Sequence, residues 1–217
     1  MTIIFTKTEL NNKTEIRGKL EEFTSTFKDI SGNYNEDEIF SLVLSAIRVN
    51  EMNVVDIKKI KGRTQYIVDP EKIKYWIERR LVPNTLQISA DDKELLKLLI
   101  FSLAIPYKML RGETRAPMNA KVRRGEERYF EQICSDVFKG EIGEVAFKKF
   151  AKQKFGRDVT LDWRIDREIE TFKSDIVDSK KIVSIKSTDT LESIWAEAPR
   201  NADYGILVKV SLPTSAV

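Results

Sequence analysis

The sequence predicts an α/β (α+β) protein, with a mixed β-sheet flanked by helices in its second half and a mainly helical first half. Three observations carry this. The first half holds capped segments with helical apolar spacing. The second half orders as helix, three strands, helix, strand. Its last strand, "YGILVKV" from Tyr204, is a near-continuous apolar run, as expected for a strand covered on both faces. A strand that returns through a helix implies a crossover and a parallel pair, so the sheet is mixed. The division is expected between residues 1–112 and 113–217.

In the first half, "NEDEIFSLVLSAIRV" opens with Asn35 as N-cap and Glu38 three residues on, the pattern of a capping box. Ile39, Leu42, Val43, Ala46 and Ile47 then recur at helical spacing and are expected in the core. "RTQYIV" reads as a short strand. "DPEKIKYWIERRL" has Asp69 as N-cap and Pro70 at the first helical position, with Ile73, Ile77 and Leu81 on one stripe. "SADDKELLKLLIFSLAI" is another capped helix, apolar enough to be central, and its apolar run is broken by Lys97 and stopped by Pro106. This order suits a DNA-reading module or a plain helical scaffold.

In the second half, "EERYFEQICSDVF" and "GEIGEVAFKKFAKQKFG" read as two helices, or one bent at Gly140 or Gly143. Gly143, Ala146, Phe147, Phe150 and Ala151 share a face suited to a sheet, and Gly156 is a C-terminal stop. "VTLDWRI" alternates strictly, with Val159, Leu161, Trp163 and Ile165 inward and Thr160, Asp162 and Arg164 outward, which is a half-buried strand. "FKSDIVDSKKIVSIKS" over 172–187 reads as a hairpin. "DTLESIWAEA" offers Asp189 as the N-cap of a crossover helix.

Composition removes several chemistries. The chain has 217 residues, 41% apolar and 33% charged, a globular rather than a disordered balance. No apolar run reaches the roughly 18 residues of a membrane span, and the N-terminus lacks a signal-peptide pattern, so a cytoplasmic location is expected. One cysteine, Cys134, excludes an internal disulfide. The absence of histidine excludes His-based triads and His-ligated metals. Catalysis is left to carboxylates, Lys, Arg and hydroxyls around a hard, oxygen-bound metal. Net charge is +3, but Lys108, Arg111, Arg115, Lys121, Arg123 and Arg124 face one acid, Glu113, within 108–124. That segment is either a solvated connector or a phosphate-contacting linker.

The chemistry concentrates in 172–187. With the turn centred on Ser179–Lys180, Asp175 pairs with Ser184, and Lys186 becomes its diagonal neighbour on one face. Either the two form an ordinary cross-strand ion pair or they belong to a metal site. A carboxylate on a sheet holds Mg²⁺, and a nearby lysine orients water or neutralises charge on a phosphate. One carboxylate is too few, and the position two before the lysine is Ser184. The helix "GEIGEVAFKKF" supplies Glu141 and Glu144.

This set of a helix Glu, an Asp, and a Lys two residues after a vacant acid position, on a helix–three strands–helix–strand order, resembles the PD-(D/E)XK nuclease superfamily. It is similar to type II restriction endonucleases whose second acid has moved to the first core helix. The resemblance covers roughly residues 125 to 210. It departs from the family pattern at Ser174, in place of a proline, and at Ser184, in place of an acid. The resemblance implies a restriction-endonuclease-like core cutting phosphodiester bonds in double-stranded DNA with Mg²⁺, and no small-molecule cofactor. It implies Asp175 and Glu144 as ligands, Glu141 as the fallback ligand and Lys186 beside the nucleophilic water. Ser187 and Thr188 would join the basic segment at the DNA backbone. A homodimer is implied, since palindromic sites are cut by two-fold pairs. The rival expectations are a structure-selective or repair nuclease of the junction-resolvase kind, and a DNA-binding protein with a degenerate core.

Overall fold

The structure is a computed structural model and describes residues 3–25, 27, 34–113, 122–123, 126–127, 129–165, 174–194 and 201–212. It separates into two compact units: Met1–Thr85 with Leu191–Ile194, and Leu86–Thr190 with Trp195–Val217. The boundary falls before the expected 112/113 division, because the helix that follows it packs with the second unit.

The first unit is helical around a small antiparallel sheet of order β1–β3–β2, made by β1 (Ile3–Thr6), β2 (Val55–Ile60) and β3 (Arg63–Val68). Helices α1 (Lys7–Asn11), α2 (Lys13–Ser25), α3 (Glu36–Val49) and α4 (Pro70–Trp76) accompany it. Local chemistry sets most of their starts. Asn35 and Glu38 exchange backbone-to-side-chain bonds of 2.8 and 2.9 Å, the expected capping box. Thr6 and Glu9 do the same for α1. Asp69 caps α4 with Pro70 at its first turn. The core joins Phe5 and Val68 of the sheet to Ile39, Val43, Leu44, Ile47, Ile73 and Ile77. β2 and β3 meet through Lys61 and Gly62 at φ 49° and 76°, a two-residue turn that needs left-handed backbone at both positions.

The second unit starts with α5 (Lys93–Leu110), capped by Asp92. It runs through Pro106. Proline costs a helix one hydrogen bond, and here the burial of Pro106 and Met109 outweighs that loss. A short antiparallel pair, β4 (Val122–Arg123) with β5 (Glu126–Glu127), precedes α6 (Phe130–Phe155). α6 is one helix through both glycines, closed by Gly156 at φ 63°. It is tied to α5 by Lys148–Glu94 and Lys149–Asp92 ion pairs of 2.9 and 2.6 Å, and by Leu98 clustered with Ile142 and Val145.

The sheet beside α6 has four neighbouring segments, and only two are regular strands. β6 (Val183–Thr188) and β7 (Tyr204–Lys209) pair in parallel, as the expected crossover requires. Residues 174–177 lie on the other side of β6, and Leu161 makes an isolated antiparallel bridge to Ile176. The expected strand "VTLDWRI" is thus reduced to one bridge, and the first arm of the hairpin is not a strand over its described residues. Side chains have taken the ladder's place. Ser174 Oγ accepts from Val183 N–H at 3.1 Å, and Asp178 reaches the Thr160 N–H at 3.3 Å. Asp162, expected outward, is buried because Arg164 clamps both its carboxylate oxygens at 2.9 and 2.8 Å. Asp189 caps no helix over Thr190–Ile194; it pairs with Lys139, while Glu192 pairs with Lys13. The rest of the expected crossover helix lies outside the described residues.

Candidate functional site

Strand β6 organises the site. Val183 and Ile185 are buried with Ile176 and with Phe147 of α6, so this face of β6 meets the helix. Ser187 continues that face. Its hydroxyl donates to the Gly140 carbonyl at 2.9 Å and also contacts the Lys139 carbonyl. Gly143 sits directly over it: a Cβ there would lie 2.7 Å from Ser187 Cβ and 3.4 Å from Val208 Cβ. Only glycine lets the backbones come this close.

Glu144 follows Gly143 and is 7% exposed. It lies four residues after Gly140 and three before Phe147, on the sheet-facing side of α6. Glu141, one turn away, is half-buried.

Asp175 is 3% exposed. Its N–H donates to Val183 O at 2.9 Å, and its Oδ2 accepts from Ile185 N–H at 2.5 Å. Asp175 therefore registers against Val183 rather than the expected Ser184, a shift of one residue. A strand's N–H lies in the plane of its sheet, so this carboxylate sits at the edge of β6, between the two faces. Ser184 is half-buried and Lys186 exposed, and alternation places both on the face away from Phe147. Lys186 thus lies on the face of β6 away from α6, the helix that carries Glu144, and the two do not share one face. Among the described residues, no ion pair joins Asp175 to Lys186, so the ordinary cross-strand pair is not formed.

The two buried aspartates contrast. Asp162 has a guanidinium across both oxygens. Among the described residues, Asp175 has a backbone amide and no Lys or Arg. A buried carboxylate without a cationic side chain calls for compensation of another kind, a metal ion or a proton. Mg²⁺ suits such a place, since it takes one or two carboxylates and leaves its other positions to water and phosphate. No cluster of three or more acidic, His or Cys side chains gathers among the described residues.

The expected DNA contacts divide. Lys108 is half-buried at the end of α5, and Arg111 stacks on Tyr107 while pairing with Glu113. Arg123 falls in β4, and Arg115, Lys121 and Arg124 lie outside the described residues. Thr188 Oγ1 accepts from Thr190 N–H at 3.1 Å. Ser187, also expected at the DNA backbone, directs its hydroxyl to α6 carbonyls.

One basic site escapes a reading of the sequence for motifs. Lys58, Lys59, Lys61 and Arg63 crowd the β2–β3 turn, all exposed and, among the described residues, without an ion-pair partner. The signal is present as four cations over 58–63 around a Lys-Gly turn. No described helix is long and apolar enough to cross a membrane. Comparison with protein-family models, curated proteins and solved structures returns no match.

Proposed function

We propose that this chain is a Mg²⁺-dependent endonuclease of double-stranded DNA, of the type II restriction kind, working as a homodimer. The observation that carries the proposal is Asp175, a buried carboxylate held by the Ile185 amide with no cationic side chain beside it among the described residues. In this reading Asp175 and Glu144 hold the ion, with Glu141 as the alternative to Glu144. The ion supplies Lewis-acid stabilisation of the phosphate. The amide of Ile185 fixes the Asp175 carboxylate before substrate arrives, which removes a reorganisation cost at the moment of reaction. Lys186, one residue beyond that amide and exposed, offsets charge building on the phosphate from the open face. The β2–β3 turn and the 108–124 segment grip the backbone, and such contacts confer affinity without sequence information.

The test is plasmid cleavage with Mg²⁺, beside DNA binding in Ca²⁺. Asp175→Asn keeps an oxygen to accept the Ile185 bond but removes the charge. Asp175→Asn, Glu144→Gln and Lys186→Ala are each expected to lose at least about 100-fold in cleavage rate, the scale of a removed catalytic group, with binding retained. Full activity in Asp175→Asn removes the reading. A second reading, a DNA-binding protein with a degenerate core, is favoured by Ser184 in the acid position and by Lys186 on the face of β6 away from α6, the helix that carries Glu144. Binding without any nicking by the wild type selects it.

A further inference from the structure

Helix α5 is apolar on two opposite faces. One buries Leu98, Phe101, Ser102 and Met109 within its own unit. The other carries Leu96, Leu99, Ile100, Leu103, Tyr107 and Leu110, exposed by 60, 48, 61, 46, 54 and 67%. These positions form one stripe about 100° wide. At 1.5 Å per residue it runs for about 21 Å. A helix that is apolar all round is normally buried all round, and a contiguous exposed patch of this size marks an interaction site.

Two features identify what covers it. The first is area. At these exposures the six residues present about 600 Å², so pairing two copies removes at most about 1,200 Å² from these residues, a figure at the lower end of specific interfaces. The second is spacing. Five of the six positions are symmetric about Leu103: Leu99 and Tyr107 lie four residues to either side, and Leu96 and Leu110 seven; Ile100 has no counterpart, its mirror position being the buried Pro106. An antiparallel pair of α5 helices crossing at Leu103 sets Leu96 against the second copy's Leu110 and Leu99 against its Tyr107, with Leu103 on its own equivalent. That reciprocity is the requirement of a two-fold interface, in which residue i meets j and j meets i. The margin is polar, with Lys97 over the Trp163 ring at 4.5 Å and Arg111 paired to Glu113, as interface rims are.

We infer that α5 is the two-fold dimer interface of this protein, centred on Leu103. The inference does not rest on the nuclease reading, and its test does not use cleavage. Light scattering after size-exclusion chromatography of the full chain, at micromolar concentration, is expected to give a dimer. Leu103→Lys, which sets two ammonium groups face to face at the axis, is expected to halve that mass while leaving the folded circular-dichroism spectrum intact. As a second measurement in a Cys134→Ser background, Leu103→Cys is expected to link to itself under air oxidation. Leu96→Cys, whose opposite number is Leu110, is expected to link far more slowly. A monomeric wild type, a dimeric Leu103→Lys, or equal linking by the two cysteine variants overturns the inference.

Discussion

α6 approaches β6 closely at Gly143, and Gly143→Ala tests that packing directly. An added Cβ would stand 2.7 Å from Ser187 Cβ, whereas carbon pairs rest at about 3.5–4.0 Å. Helix and strand must therefore part by about 1 Å. Ser187 Cβ is no flexible tip, and the obstruction continues into Val208. Overpacking of this kind costs about 1–3 kcal/mol. Parting also stretches the 2.9 Å bond from Ser187 to the Gly140 carbonyl, a further loss of about 1 kcal/mol. Against this, alanine in a helix interior gains about 0.5–1 kcal/mol over glycine. The net is a destabilisation of about 1–3 kcal/mol, or a fall in melting temperature of about 3–10 °C for a chain of this size. Gly140→Ala supplies the internal comparison, because its Cβ would meet nothing within 4 Å. It keeps the helix-propensity gain alone and is expected to raise the melting temperature by about 1–4 °C. Thermal melts of the two variants beside the wild type read both signs. Equal stabilisation by the two alanines would refute the close approach of α6 to β6.

Two further outcomes follow from the first unit. Replacing Lys58, Lys59, Lys61 and Arg63 together with Gln is expected to weaken DNA binding. The slope of log affinity against log salt should become shallower by about 0.9 for each phosphate that the turn no longer neutralises, and an unchanged slope removes the turn from the interface. Glu9 has its pKa lowered from 4.5 to about 2, chiefly by Lys19, with Thr6 N–H at 2.7 Å and Thr6 Oγ1 at 2.8 Å assisting. A carboxylate depressed in the folded state stabilises above its unfolded pKa and loses that contribution as pH falls through its folded one. The excess melting temperature of wild type over Glu9→Gln should hold steady above about pH 5, be mostly lost by about pH 2 and be gone by about pH 1. A difference that grows on acidification contradicts the assignment.

What is legible in the sequence is mostly what is decided within one turn of chain. The caps at Asn35 and Asp69, and the stop at Gly156, depend on residues three or four apart, and each forms as expected. The parallel pairing of β6 with β7 is legible because the element order forces a crossover. The strands of the first unit are less so. β2 buries only Val55 and alternates weakly, so its period gives little signal until β3 supplies the ladder. The hairpin over 172–187 reads in the wrong register because Ser174 uses its side chain where a strand uses its backbone. Period alone does not reveal such a substitution.

For the candidate site, the sequence by itself determined which chemistry is open: no histidine, one cysteine, and carboxylates and cations in short strands beside a glycine-bearing helix. Those are properties of composition and local spacing, and they need no fold. The tertiary structure decided which groups meet. It buried Asp175 on the Ile185 amide, spent the Ser187 hydroxyl on α6, set Lys186 on the open face of β6 and gave Asp162 to Arg164. A one-residue shift in pairing moves a side chain to the other face of a strand, and burial then fixes whether its charge must be matched. Both depend on residues distant in the chain coming together, which happens only once the chain is folded.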